Sequence, residues 1–96
     1  MINQVIQVLP TKDYKVYIYF ADGKIKLFDA SSLVEKGVFR KLKEKEIFIK
    51  SCTVINGTLG WDISGNHDAS DCLDLDPDNL YDNCADVTEP DIRLYN

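Results

Sequence analysis

The sequence predicts an α+β domain built in two layers, an antiparallel sheet of four or five strands with short helices packed on one face. Three observations carry that reading. Two alternating apolar/polar runs meet at Asp22-Gly23, two more strand-like runs meet at Asn56-Gly57, and the helix signals between and after them are all short.

Residues 4–9 form a first strand, stopped by Pro10, which lacks a ladder donor. In residues 14–20, Tyr14, Val16, Ile18 and Phe20 alternate with Lys15, Tyr17 and Tyr19, and β-branched and aromatic residues dominate. Asp22-Gly23 then leads into the alternating Lys24-Ile25-Lys26-Leu27-Phe28. Asp-Gly is a strong hairpin signal because a type I′ turn needs positive φ at both central residues. Ser32-Leu33-Val34-Glu35 has the capping-box form and marks a helix start, which Gly37 soon interrupts. A second short turn over Val38-Phe39-Arg40-Lys41-Leu42 places Phe39 and Leu42 on one face.

Residues 50–55 and 58–63 flank Asn56-Gly57 as a second hairpin, and residues 64–70 read as loop. Asp76-Pro77 opens the last helix, with Asp76 as N-cap, Pro77 in the first helical position, and Leu75 and Leu80 as a hydrophobic staple. The expected domain covers residues 1–86. Residues 87–96 form a weakly patterned tail, either frayed or docked through Ile92, Leu94 and Tyr95. The expected core is Val5, Val16, Ile18, Phe20, Leu27, Phe39, Leu42, Phe48, Val54, Leu59, Trp61, Leu75 and Leu80.

Composition bounds the class. At 96 residues and 45% hydrophobic, the chain has enough apolar material for one core without staples. Cys52, Cys72 and Cys84 are odd in number and irregularly spaced, so reduced thiols in the cytoplasm are expected rather than a disulfide framework, with Cys52 in the core. The N-terminal residues show no basic region followed by a long apolar run, and no apolar run reaches about 20 residues, so neither a signal peptide nor membrane spanning is expected.

Charge divides unevenly. Residues 1–50 carry ten Lys/Arg and six Asp/Glu, a balance of +4, whereas residues 51–96 carry one Lys/Arg and ten Asp/Glu, a balance of −9. Those ten acids all lie between Asp62 and Asp91. A field of one sign repels nucleic acid and anionic membranes and attracts a basic partner, and Asp68, Asp71, Asp74, Asp78 and Asp82 are the expected partner-binding residues.

Specific chemistry is less well supported. Asp74-x-Asp76-x-Asp78 resembles the opening of a calcium loop, but Asn79 and Ala85 stand where such a loop needs Gly and Glu. Helix capping by Asp76 and a favourable macrodipole at Asp78 account for these acids more simply. His67 and the three cysteines lack the tight ligand pairs of a zinc site. There is no nucleophile elbow or phosphate-binding glycine loop, and no acid/base pair is assignable, so no catalytic, metal or cofactor residues are expected. Arg40-Lys41-Leu42-Lys43-Glu44-Lys45, with Lys36 and Lys50 nearby, is a small basic patch diluted by Glu44 and Glu46, and direct nucleic-acid binding is not expected. Tyr17 and Tyr19 face away from Val16, Ile18 and Phe20, as an exposed aromatic stripe or as core under a covering helix.

These residues fit a wider pattern: Val8-Leu9-Pro10, Phe20-Ala21-Asp22-Gly23, Gly37-Val38-Phe39-Arg40-Lys41-Leu42, Phe48, Gly57-Thr58-Leu59-Gly60-Trp61 and Asp74-Leu75-Asp76-Pro77-Asp78-Asn79-Leu80-Tyr81. Their order over about residues 3–82 resembles a small bacterial domain-of-unknown-function family, family twenty-four forty-two. The resemblance implies a compact α+β domain, found alone or ahead of a phage-repressor-type helix-turn-helix, in gene pairs similar to toxin–antitoxin modules. It carries no catalytic residue set. The longer loop 64–72 and the acidic C-terminal part depart from the family's shorter versions. The functional expectation is a non-enzymatic interaction module, antitoxin-like, meeting a small basic protein through its acidic face. The alternative is an acidic mimic of nucleic acid that inhibits a nucleic-acid-binding protein. Exposed strand edges leave homo-oligomerisation open.

Overall fold

The computed structural model describes residues 3–63 and 72–88. Strands β1 (Val5–Pro10), β2 (Lys15–Phe20) and β3 (Ile25–Asp29) run as an antiparallel meander, and the two-residue β7 (Ala85–Asp86) pairs with the free side of β3. The two alternating runs supply β2 and β3 of this four-stranded antiparallel sheet, and β7 is an edge strand that the sequence does not announce. A second antiparallel sheet, of order β4-β5-β6, holds β4 (Cys52–Ile55), β5 (Thr58–Asp62) and β6 (Cys72–Asp74). The second hairpin therefore builds a sheet of its own and does not extend the first. The two meet where the Val5 amide donates to the Gly57 carbonyl at 2.8 Å.

The helical elements are short, as expected. Two 3₁₀ segments, Leu33–Glu35 and Gly37–Lys43, precede α1 (Lys45–Ser51), and α2 (Pro77–Asn83) lies between β6 and β7. The second strand pair begins at Cys52 and not at residue 50, because Lys50 and Ser51 end α1. The capping box does not form. Ser32 is itself in the right-handed helical region (φ −77°, ψ −32°) and makes no side-chain cap, while the Glu35 carboxylate reaches the Lys43 ammonium at 2.8 Å. The N-cap predicted for α2 does form, the Asp76 carboxylate accepting from the Asp78 amide at 3.1 Å.

The two Asx-Gly hairpins differ. Asn56 (φ +51°) and Gly57 (φ +77°) make a two-residue turn closed by Ile55 and Thr58, with the positive φ at both central residues of type I′. At the first hairpin only Gly23 (φ +93°) is left-handed, and the Phe20 amide donates to the Lys24 carbonyl at 2.9 Å. Ala21-Asp22-Gly23 is thus a three-residue loop, which shifts β3 by one position against β2. Ile18 stands opposite Lys26, and Leu27 stands opposite Tyr17 on the other face. A one-residue shift exchanges the faces of a strand. Leu27, expected in the core, is accordingly half-buried on the far side, and Lys26 takes the core-facing position.

The remaining expected core residues gather as predicted. Val5, Val16, Ile18, Phe20, Leu42, Phe48, Leu59, Trp61 and Leu80 are buried, and Phe39, Val54 and Leu75 pack against them. Ala30 and Val34 join this cluster. Phe48 of α1 lies 5.7 Å from Trp61 and 5.4 Å from Tyr14, so one aromatic chain links the helix to both sheets. In β1, a bulge between Val5 and Gln7 leaves Ile6 exposed.

Candidate functional site

The site begins with the buried lysine. Removing an ammonium from water is costly unless opposite charge and hydrogen bonds replace the lost hydration. Only 7% of Lys26 is exposed, and its Nζ lies 2.6 Å from Oδ1 of Asp86 in β7. The same ammonium stands 4.7 Å from the centre of the Tyr81 ring, a cation–π contact. Tyr81, on α2, packs edge-on against Phe20 at 5.0 Å, and its hydroxyl donates to Oδ2 of Asp22 at 2.6 Å. Asp22 Oδ1 accepts from the Lys24 amide at 2.9 Å. One lysine turned inward therefore gathers α2, β7 and the β2–β3 turn into a single surface.

The titration of these groups follows from the contacts. The hydrogen bond from Tyr81, then that from the Lys24 amide, holds the Asp22 carboxyl below the usual carboxylate value. The Lys26 hydrogen bond lowers the Asp86 carboxyl. Tyr81 is raised, chiefly because ionisation would give up its bond to Asp22. Burial raises the Cys84 thiol against an opposing pull from Lys26, and it pushes the more deeply placed Cys52 thiol up to about 12.

Five exposed carboxylates belong to this surface: Asp22 at the turn, Asp76 at the start of α2, Asp78 and Asp82 on α2, and Asp86 on β7. Of the expected partner-binding residues, Asp78 and Asp82 are brought together here. Asp78 also accepts from the Asn3 side chain at 3.0 Å. Asp74 falls in β6, whereas Asp68 and Asp71 lie outside the described residues. Asp62, first of the acidic stretch, turns inward on β5 and is buried. Sequence reasoning missed Asp22, which sits in the basic half of the chain, and Asp86. A Lys on the core face of β3 is the signal that calls for Asp86, and through Tyr81 for Asp22, visible only once the register is known.

The calcium-like triplet is otherwise engaged where it is described, Asp76 as a cap and Asp78 with Asn3. Among the described residues no three His, Cys, Asp or Glu side chains gather as metal ligands, and His67 lies outside them. The basic residues are spread over the 3₁₀ segment and α1. Lys43 pairs with Glu35 at 2.8 Å, Lys50 with Glu46 at 3.1 Å, and Lys45 lies 5.8 Å from the Tyr14 ring centre. Tyr17 and Tyr19 are half-buried on the sheet face turned from the core, and both are engaged in contacts. No helix among the described residues is long and apolar enough to cross a membrane.

Beside the acidic surface lies a groove of about 290 Å³ between β3, the first 3₁₀ segment and α2. Phe28, Leu33, Leu75 and Leu80 form its apolar lining, with Lys36 on one bank and Asp76 and Asn79 on the other.

No curated protein and no solved structure matches the chain. A family model does, that of the protein of unknown function DUF2442, over residues 5–86, which run from the first residue of β1 to the last of β7. The chain belongs to that family.

Proposed function

We propose that this chain is a non-enzymatic protein-interaction module that receives a basic protein on the acidic surface of α2, β7 and the β2–β3 turn. The observation that carries this reading is the set of exposed carboxylates at Asp22, Asp76, Asp78, Asp82 and Asp86, of which Asp86 pairs with the buried Lys26 and Asp22 accepts from Tyr81. Fixed charges of one sign steer an oppositely charged partner into register and raise its association rate, an effect screened over about 8 Å at physiological salt. An antitoxin-like pairing with a small basic protein is the arrangement the family resemblance favours, and the free thiols of Cys52 and Cys84 suit the cytoplasm.

The test starts from a tagged pull-down in lysate of the source cells, which identifies the bound protein, followed by association kinetics at two salt concentrations. The double substitution Asp78→Asn with Asp82→Asn should slow association and flatten its salt dependence while leaving the melting temperature nearly unchanged. An unaltered rate, or a captured protein without a basic surface, would refute the acidic-face reading.

A further inference from the structure

Steering charges bring a partner in, but affinity comes from a few desolvated anchors in well-packed pockets. The groove beside α2 is the feature of this surface suited to that task, and the inference rests on the interaction-module reading above. Its apolar lining comes from β3 (Phe28), the first 3₁₀ segment (Leu33), α2 (Leu80) and Leu75 just before α2, and its volume of about 290 Å³ is just below the usual range of small-molecule sites, roughly 300–1,000 Å³. That is room for one or two large side chains.

The banks say what flanks them. Asp76 and Asn79, three residues apart, stand on the α2 bank, and Asp82 follows Asn79 at the same helical spacing. Lys36, exposed and just before the second 3₁₀ segment, stands on the other bank. Opposite charges on opposite banks select an occupant of matching polarity and orient it. We infer that the groove seats one bulky apolar side chain of the basic partner, presented by a segment whose Lys or Arg residues lie over α2 and whose acidic or carbonyl oxygen atoms lie over Lys36.

The experiment places a photo-crosslinking benzoylphenylalanine in the full chain at Asn79, on the groove bank, and in a second preparation at Asp82, on the acidic surface. Each is irradiated in lysate of the source cells, and the attached peptide is mapped by mass spectrometry. From Asn79 the expected peptide belongs to a basic protein and carries a large apolar residue with Lys or Arg within one helical turn. A synthetic copy of that peptide should bind the intact chain. It should bind at least about tenfold more weakly to Leu33→Trp, which fills the groove, as expected for loss of an anchor. It should also bind more weakly to Lys36→Glu, while both variants keep the parent melting temperature within a few degrees.

Capture from Asp82 but not from Asn79 would overturn the groove and leave the acidic-face reading standing. Capture from neither would overturn both. A mapped peptide from this chain itself would make the occupant its own residues 87–96 or a second copy, and a peptide lacking an apolar residue would remove the anchor. Either result overturns the inference, as does a peptide that binds Leu33→Trp as tightly as the parent.

Discussion

The Tyr81 hydroxyl donates to the Asp22 carboxylate at 2.6 Å across 59 residues of sequence, so α2 is fastened to the tip of the Asp22-Gly23 hairpin. The bond has a measurable titration signature. Tyr81 has its folded-state pKa raised, so its contribution to stability is present below the unfolded value of about 10 and is lost as pH rises through the higher folded value. Ultraviolet titration should show a tyrosine ionising above the usual value, and Asp22→Asn should bring that midpoint back toward about 10. A titration unchanged by Asp22→Asn would show that the bond does not persist in solution.

The acid side has the opposite sign. Asp22 and Asp86 are held below the usual carboxylate value, so their contribution is present above about pH 4 and is lost as pH falls through their lower folded values. Urea midpoints measured from pH 6 down to pH 2.5 should fall below pH 4. The fall should be smaller in Asp86→Asn, where Lys26 has already lost its charged partner and the starting stability is lower.

Asp76 accounts for the start of α2. Replacing it by Ala should cost about 1 kcal/mol, while Ser, which also caps, should cost a few tenths. Equal losses from both in chemical denaturation would mean that the cap contributes little beyond Pro77.

Trp61 is fully buried, and its indole N–H has no hydrogen-bond partner among the described residues. Trp61→Ala should cost about 3–5 kcal/mol through lost burial and cavity formation. Trp61→Phe should cost far less, because it keeps an aromatic ring and removes a buried donor whose desolvation is uncompensated. Denaturant midpoints of the two variants give the comparison directly.

Thiol labelling separates the cysteines. With its thiol pushed up to about 12 by burial, Cys52 should stay unmodified by iodoacetamide at pH 8 in the native protein, and Cys84, half-buried beside Lys26, should react before it. Peptide mapping after timed quenching checks the order. Equal rates would mean that the β4–β5 hairpin opens as readily as the end of α2.

The legible parts of this fold are those fixed by neighbouring residues. Asn56-Gly57 specifies its own turn, and Asp76-Pro77 its own helix start, so both were readable in sequence. The β2–β3 hairpin was readable in existence but not in register, since Asp-Gly serves a two-residue or a three-residue loop and the two place opposite faces of β3 on the core. That single ambiguity hid Lys26, and with it the reason Asp22 and Asp86 belong together. Ser32 and Glu35 misled because the Glu35 carboxylate has a partner eight residues on, in Lys43. Helix α1 escaped notice because its run Ile47-Phe48-Ile49 is too short and too β-branched to show a helical period. Within the site, charge pointed to Asp78 and Asp82, but the groove joins residues from three elements and has no signature in any one of them.

The short β7 has a kinetic consequence. Strands β1, β2 and β3 close through neighbouring loops, whereas β7 reaches β3 from the far end of the domain and holds it by two residue pairs and the Val87 amide bond to Ile25. Local hairpins form early and distant closures late, so α2 and β7 dock last and open first. Amide hydrogens at Ala85, Asp86 and Val87 should exchange well before those of β2. The α2 and β7 part of the acidic face then sits on a late-docking segment, and a partner that seats on α2 should slow exchange at β7 amides that it never touches.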